Sequence, residues 1–223
     1  TFVLASATSA SPEVSASRLV GRNVTAVTED GSPKNPLTIA LWEPGIADLD
    51  EGEDAREAAR RAKEEREQAE KAGVKAHVEV RRRPAPTEAG ALLGDLVCEG
   101  AQSLVFTRSR RSSELVAKGA QRAVNAAAEA TGSAMLADRA TRIAAYRGGY
   151  LPEERRALEA ALRSGQLLGL ASTNALELGI DISGLDAVLV TGWPGTRASL
   201  WQQFGRAGRA HGTQSREALA MFI

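Results

Sequence analysis

The chain has 223 residues, 43% hydrophobic and 25% charged, enough for one large domain, or one domain with appendages, around a full core. Its 28 basic and 28 acidic side chains cancel to a formal net charge of +0, which excludes bulk attraction to nucleic acid and makes any polyanion site local. A lone cysteine, Cys98, excludes a disulfide framework or a cysteine-based zinc site within the chain, and no run approaches the ~18 apolar residues of a membrane span.

The opening "TFVLAS" (1–6) reads as a buried strand, and a chain that opens inside a strand suggests a fragment of a longer protein. Ser6, Ala7 and Thr8 follow it, and Thr8, Ser9 or Ser11 can cap the helix that Pro12 begins. From Leu37 onward, short apolar runs alternate with amphipathic patterns. Strands are expected at 37–43, 103–107, 142–146, 167–172, 187–192 and 217–223, with helices at 87–100, 112–130 and 152–165. Pro152 suits a first helical turn and Gly165 a stop. Apolar runs without alternation suit strands covered on both faces, so the expected class is α/β with a mostly parallel sheet flanked by helices.

Residues 48–73 break this rhythm. They form a charged helical pattern whose only apolar members after Leu49 are alanines, supported by pairs such as Glu57–Arg61, Arg60–Glu64 and Glu67–Lys71. Lacking a large apolar face, the segment reads as a solvated helical insertion, with a partner-binding or DNA-guiding arm as the alternative. "EVRRRPAP" (79–86) reads as an exposed basic turn, and Cys98 as a buried structural thiol. His77 and His211 are expected to be non-catalytic. Trp42, Trp193 and Trp201 are expected in core or interface packing rather than stacked on a base.

Two stretches carry chemistry. In "LLGLASTNALELGIDISGLDAVLVTGWP" (167–194), Thr173 falls just past the carboxyl end of its strand, where ligands bind in open α/β sheets. Thr173 or Asn174 can cap the short helix that follows, Gly179 allows close backbone approach, and Asp181 projects a carboxylate from a tight turn. In "SLWQQFGRAGRAHG" (199–212), Gln202, Gly205, Arg206 and Arg209 form Q-x-x-G-R-x-x-R at a helix end. Two guanidiniums one turn apart can clasp a terminal phosphate. Yet the chain contains no GxxxxGK[ST] loop to hold a nucleoside triphosphate. The plainer readings are a capping threonine with a turn aspartate, and a pair of surface salt bridges.

Ser-Ala-Thr after a strand, then "ASTNALELGIDI" and "QQFGRAGR", resembles a superfamily 2 helicase from its third motif onward. "LVFTRSRRSSELVA" is similar to the fourth motif, and "YRGGYLPEERRALEAALRSGQLLGLAST" to the stretch leading into the fifth. The resemblance covers nearly the whole chain apart from the charged insertion, and "TNALELGIDI" with "RASLWQQFGRAGR" looks like the YprA- and Hrq-type (RecQ-four-like) DNA helicases.

That resemblance implies residues 1–35 as the end of a first RecA-like lobe and a linker. Residues 36–223 would be the second lobe, with an insertion at about 45–83. It implies ATP and Mg2+ held mainly by the first lobe, which lies outside this chain, so the missing phosphate loop is no paradox and no metal site is expected here. It further implies that Arg206 and Arg209 reach the γ-phosphate with Gln202 holding them. Asp181 would contact the ribose or the arginines, with Gly179 and Gly205 beside the nucleotide. Thr173, Arg108 and Ser109 would touch the phosphates of single-stranded DNA, Ser6 and Thr8 would couple the lobes, and Arg155 would brace the second. Leu178 and Gln202 stand where RNA-directed relatives carry arginine and histidine, which favours DNA.

The implied function is the second motor lobe of a 3′-to-5′ DNA helicase, cytoplasmic and engaged in DNA repair, with this chain inactive alone. The alternatives are a translocase on duplex DNA or RNA without strand separation, or a non-catalytic interaction module.

Overall fold

A computed structural model describes residues 1–6, 8–29, 31, 35–45, 82–147, 149–177, 182, 185–208 and 217–223. The charged segment 48–73 and His77 lie outside these residues. The chain divides into two units, one of Thr1–Trp42 with Ala85–Ile223, the other Glu43–Pro84. Within the second unit, Arg82 pairs with Glu43 at 2.6 Å and donates to the Pro44 carbonyl, while the Arg83 amide donates to Gly45.

The first unit begins with α1 (Pro12–Val20) and β1 (Leu37–Leu41). There follow α2 (Ala85–Cys98), β2 (Ser103–Phe106), α3 (Arg110–Thr131), α4 (Ala134–Thr141), β3 (Ile143–Tyr146) and α5 (Pro152–Arg163). The last elements are β4 (Gly169–Ser172), a 3-10 turn (Asn174–Leu176), β5 (Ala187–Val190), α6 (Arg197–Phe204) and β6 (Ala218–Phe222). The six strands form one sheet in the order β1-β6-β5-β2-β4-β3, every pairing parallel. β2 lies between β4 and β5, with Leu104 beside both Leu170 and Val188.

Alternation of side chains along each strand splits the core into two layers. Val105, Ala171 and Leu189 face a cluster closed by Leu93 and Val97 of α2 and Val116, Ala120 and Val124 of α3. Leu104, Phe106, Leu170, Val188 and Val190 face the other side, closed by Leu162 of α5, Leu176, Ile182, Leu185 and Phe204 of α6. Both faces are therefore buried at the central strands, which is why these read as unbroken apolar runs, whereas the edge strand β1, expected to be covered, is largely exposed.

All six expected strands after residue 36 form, each within two residues of its expected limits. The expected strand at 1–6 does not: Phe2 and Val3 are 68% and 88% exposed, and none of the described strands runs beside them. Strand geometry needs a neighbour to pair its N–H and C=O groups, and hydrophobicity alone does not provide one. Pro12 opens α1 as expected, but the side chain of its N-cap Ser11 makes no capping bond.

Candidate functional site

Each candidate is placed by the element before it. β2 ends into Thr107, Arg108 and Ser109, and β4 into Thr173. The Thr107 amide donates to the Ser172 carbonyl at 2.7 Å, so the two loops leave the sheet side by side. The Thr191 hydroxyl and amide both donate to the Phe106 carbonyl at 2.9 Å, which ties in the end of β5. Gly192 then turns with φ +72, and a Cβ there would stand 3.4 Å from Cδ of Arg108. The exposed arginine thus lays its stem across a bare backbone. Arg108 and Thr173 therefore share the carboxyl edge of the sheet.

Ser109 spends its hydroxyl as the N-cap of α3, accepting from the Ser112 amide at 3.0 Å. Thr173, half-buried, is the N-cap of the 3-10 turn, but its hydroxyl makes no capping bond, contrary to the sequence expectation. Free of that duty, the hydroxyl remains able to donate to a ligand at the carboxyl edge.

The arginine segment reaches the opposite edge. α6 begins with Thr196 capping Ser199 and runs back across the sheet face to Gly205, which is exposed. The chain then passes Leu185 as a one-residue parallel bridge at Ala207 and turns at Gly208 (φ +72), whose amide donates to the Leu185 carbonyl at 3.1 Å. Leu185 precedes β5, so this end of the motif sits by the amino edge. Arg206 is buried, 6% exposed, and its guanidinium donates to the Glu177 carbonyl. Gln202, on another side of α6, donates through Nε2 to Thr8 Oγ1 at 2.9 Å, and the Thr8 amide donates to Ser6 Oγ at 3.4 Å. Two candidates 194 positions apart are brought into contact. Asp181, Gly179 and Arg209 lie outside the described residues, as do Leu178 and His211.

The residues that sequence reasoning missed are Glu177, Ser199 and Gln203. Glu177 is 7% exposed and accepts from Ser199 Oγ at 2.6 Å and Gln203 Nε2 at 2.9 Å. The available signal was a glutamate between Leu176 and Leu178, since a charge inside an apolar run needs internal partners.

Other expectations resolve individually. Cys98 is half-buried against the α2–α3 cluster rather than fully buried, and burial, then Asp95, pushes its thiol pKa up. The tryptophans are not core residues. Each is about half exposed: Trp193 sets its edge against Phe222, Trp201 against Phe204, and Trp42 donates to Glu88 Oε1 at 2.9 Å. Arg155, half-buried on α5, sits beside the Tyr146 hydroxyl. Among the described residues no group of His, Cys, Asp and Glu is placed to hold a metal ion, and no helix is long and apolar enough to cross a membrane.

A parallel sheet whose central strands are buried on both faces, with polar loops at its ends and a helix leading into the arginine segment, is a RecA-like α/β lobe. The chain belongs to the helicase conserved C-terminal domain family, whose model matches residues 89–211, and stands with the YprA and Hrq types of superfamily 2. It is 35% identical over 211 residues to the ATP-dependent helicase YprA of Bacillus subtilis (strain 168), covering 95% of this chain and 23% of that protein. It is 36% identical over 209 residues to the ATP-dependent helicase HRQ1 of Saccharomyces cerevisiae, covering 93% and 16%. Among solved structures, DUF1998 helicase MrfA bound to DNA and AMPPNP matches 97% of this chain and 24% of its own, at 34% identity and TM-score 0.70. The Mycobacterium smegmatis helicase Lhr bound to ssDNA and AMP-PNP matches 97% and 23%, at 26% identity and TM-score 0.58. This chain thus spans less than a quarter of the length of these relatives.

Proposed function

We propose that this chain is the second motor lobe of an ATP-dependent DNA helicase with 3′-to-5′ polarity. Residues 1–35 would carry the end of the first lobe and a linker, and 36–223 the second lobe, with the insertion at about 45–83. The observation that carries the reading is the likeness, over 97% of the chain, to a helicase bound to both DNA and AMPPNP. The site is in keeping with it. Arg108 and Thr173 at the carboxyl edge would donate to strand phosphates. Such contacts hold a backbone without reading sequence, as a translocating motor requires.

ATP supplies the free energy of phosphoryl transfer when bound. The donor chemistry of this chain fits one side of it: arginines to neutralise charge on the transferring phosphoryl group, with Asp181 toward the ribose or the arginines. Since Arg206 is buried and held by Glu177, it supports the segment from within, and Arg209 is the residue we assign to the γ-phosphate. Gln202 holds α6 against Thr8, and so links the arginine segment to the Ser-Ala-Thr turn and the first lobe. The phosphate loop and the acidic residues that hold Mg2+ belong to that first lobe. We place the whole protein in the cytoplasm, in DNA repair.

The test is single-stranded-DNA-stimulated ATPase of the whole protein, wild type against Arg209→Ala. A loss on the order of 10³ in turnover with DNA binding retained is expected, the worth of an arginine clamp in phosphoryl transfer. Near-normal turnover would sink the assignment. Stimulated ATPase without strand displacement on a tailed duplex would replace helicase by translocase.

A further inference from the structure

Glu177 stands four residues after Thr173, and two residues of α6, with Arg206 just past its end, converge on it. Ser199 and Gln203 lie at i and i+4 on one face of the helix, and Arg206 follows two residues after its last turn. The first two donate to the two carboxylate oxygens, at 2.6 and 2.9 Å, and the third to the backbone carbonyl. A buried carboxylate is costly unless its oxygens are satisfied, and bonds to a charged acceptor are short and directional. The apolar contacts of α6 come mainly from Phe204, with Leu200 partly buried. To that packing the Glu177 bonds add directional constraints on the rotation and the axial position of the helix.

The two ends of the site lie at opposite edges of the sheet, and Glu177 bridges them. We infer that Glu177 is a positioning residue that transmits strand binding at the Thr173 loop to the arginine segment, by holding α6 in register with that loop. This rests on the helicase reading above. A displacement of residues 173–177 on gripping a strand carries α6 with it, and with α6 the chain entering Arg206 and Arg209.

The arrangement distinguishes two substitutions. Glu177→Leu fills the space but its side chain accepts nothing from Ser199 or Gln203, while the backbone carbonyl that Arg206 holds is kept. Glu177→Gln keeps one acceptor and gains a donor, and Gln203 Oε1, buried with no hydrogen-bond partner among the described residues, receives that donor once the Gln203 amide turns over. The glutamine variant should therefore restore what the leucine variant loses.

The experiment measures turnover, KM for ATP and Kd for a fluorescent single-stranded oligonucleotide on the whole protein. For Glu177→Leu, DNA-stimulated kcat is expected to fall about tenfold, as when a buried bonded group loses its partner, with KM and Kd within about threefold of wild type. Glu177→Gln is expected within about twofold in kcat. Undiminished stimulation in Glu177→Leu overturns the inference, and so does a parallel loss of kcat and DNA affinity, which would make Glu177 part of the grip itself. If Glu177→Leu does not fold, Ser199→Ala removes one bond from the helix side, with a loss of about threefold in stimulated kcat expected and no loss overturning the role. A wild-type protein without DNA-stimulated ATPase would instead remove the helicase reading.

Discussion

Tyr146 ends β3 with its ring 2% exposed and its hydroxyl donating to Glu159 Oε1 at 2.7 Å. Burial first, and the bond to Glu159 second, push its pKa from 10.0 up to about 12. The folded pKa exceeds the unfolded one, so stability from the neutral phenol is complete below pH 10 and is lost as the pH climbs through about 12. Tyr146→Phe is expected to cost about 1 kcal/mol at neutral pH, the worth of one hydrogen bond. It is also expected to lose less stability than wild type between pH 10 and 12, measured by urea unfolding of this chain across that range. An equal alkaline loss in both proteins would remove Tyr146 as its source. At this scale little was legible in advance. Gln202 and Thr8 meet from 194 positions apart, and Glu177 reaches residues 22 and 26 positions away, so no local pattern announces either bond. The inward turn of Arg206 was equally hidden, because a residue pair one turn apart looks the same whether it faces solvent or a carbonyl.

Among elements, α2 and α3 cross where Gly90 and Gly94 face Gly119 and Ala123. A Cβ on Gly94 would stand 2.8 Å from Cβ of Ala123, a contact between two atoms that no rotamer change can relieve. Gly94→Ala gains about 1 kcal/mol of helix propensity, but forcing packed helices apart costs typically 1–3 kcal/mol. We expect a net loss of about 1 kcal/mol, a fall of roughly 2–4 °C in Tm by calorimetry, recovered in the double variant with Ala123→Gly. The sequence did make most elements readable, because covered strands are plain apolar runs and Pro152 and Gly165 mark their helix. It hid α4, an eight-residue helix separated from α3 by only Gly132 and Ser133, whose only start signal is Ser133 capping Leu136. It misled at residues 1–6, where apolar content promised a strand and no neighbouring strand among the described residues supports one.

For the whole molecule, the two edges of the sheet carry different groups: Arg108 and Thr173 at the carboxyl edge, the approach to the arginine segment at the amino edge. In the proposed motor both work only against a second lobe. This chain alone is therefore expected to hydrolyse no ATP above background, with or without single-stranded DNA, in a coupled assay. Helicase-level turnover by pure chain would contradict the two-lobe arrangement. The strand order has a further consequence, for the making of the protein. β3, β4, β2 and β5 are contiguous in the sheet and all lie between residues 143 and 190 or at 103–106, so they can assemble as they emerge from the ribosome. β1 cannot, since Leu37 pairs with Ala218. At synthesis rates of about 5–20 residues per second, β1 waits roughly ten to forty seconds for its partner. Through that interval an apolar strand holding Leu37, Ile39 and Leu41 stands unpaired, the window in which a nascent chain of this order most needs a chaperone.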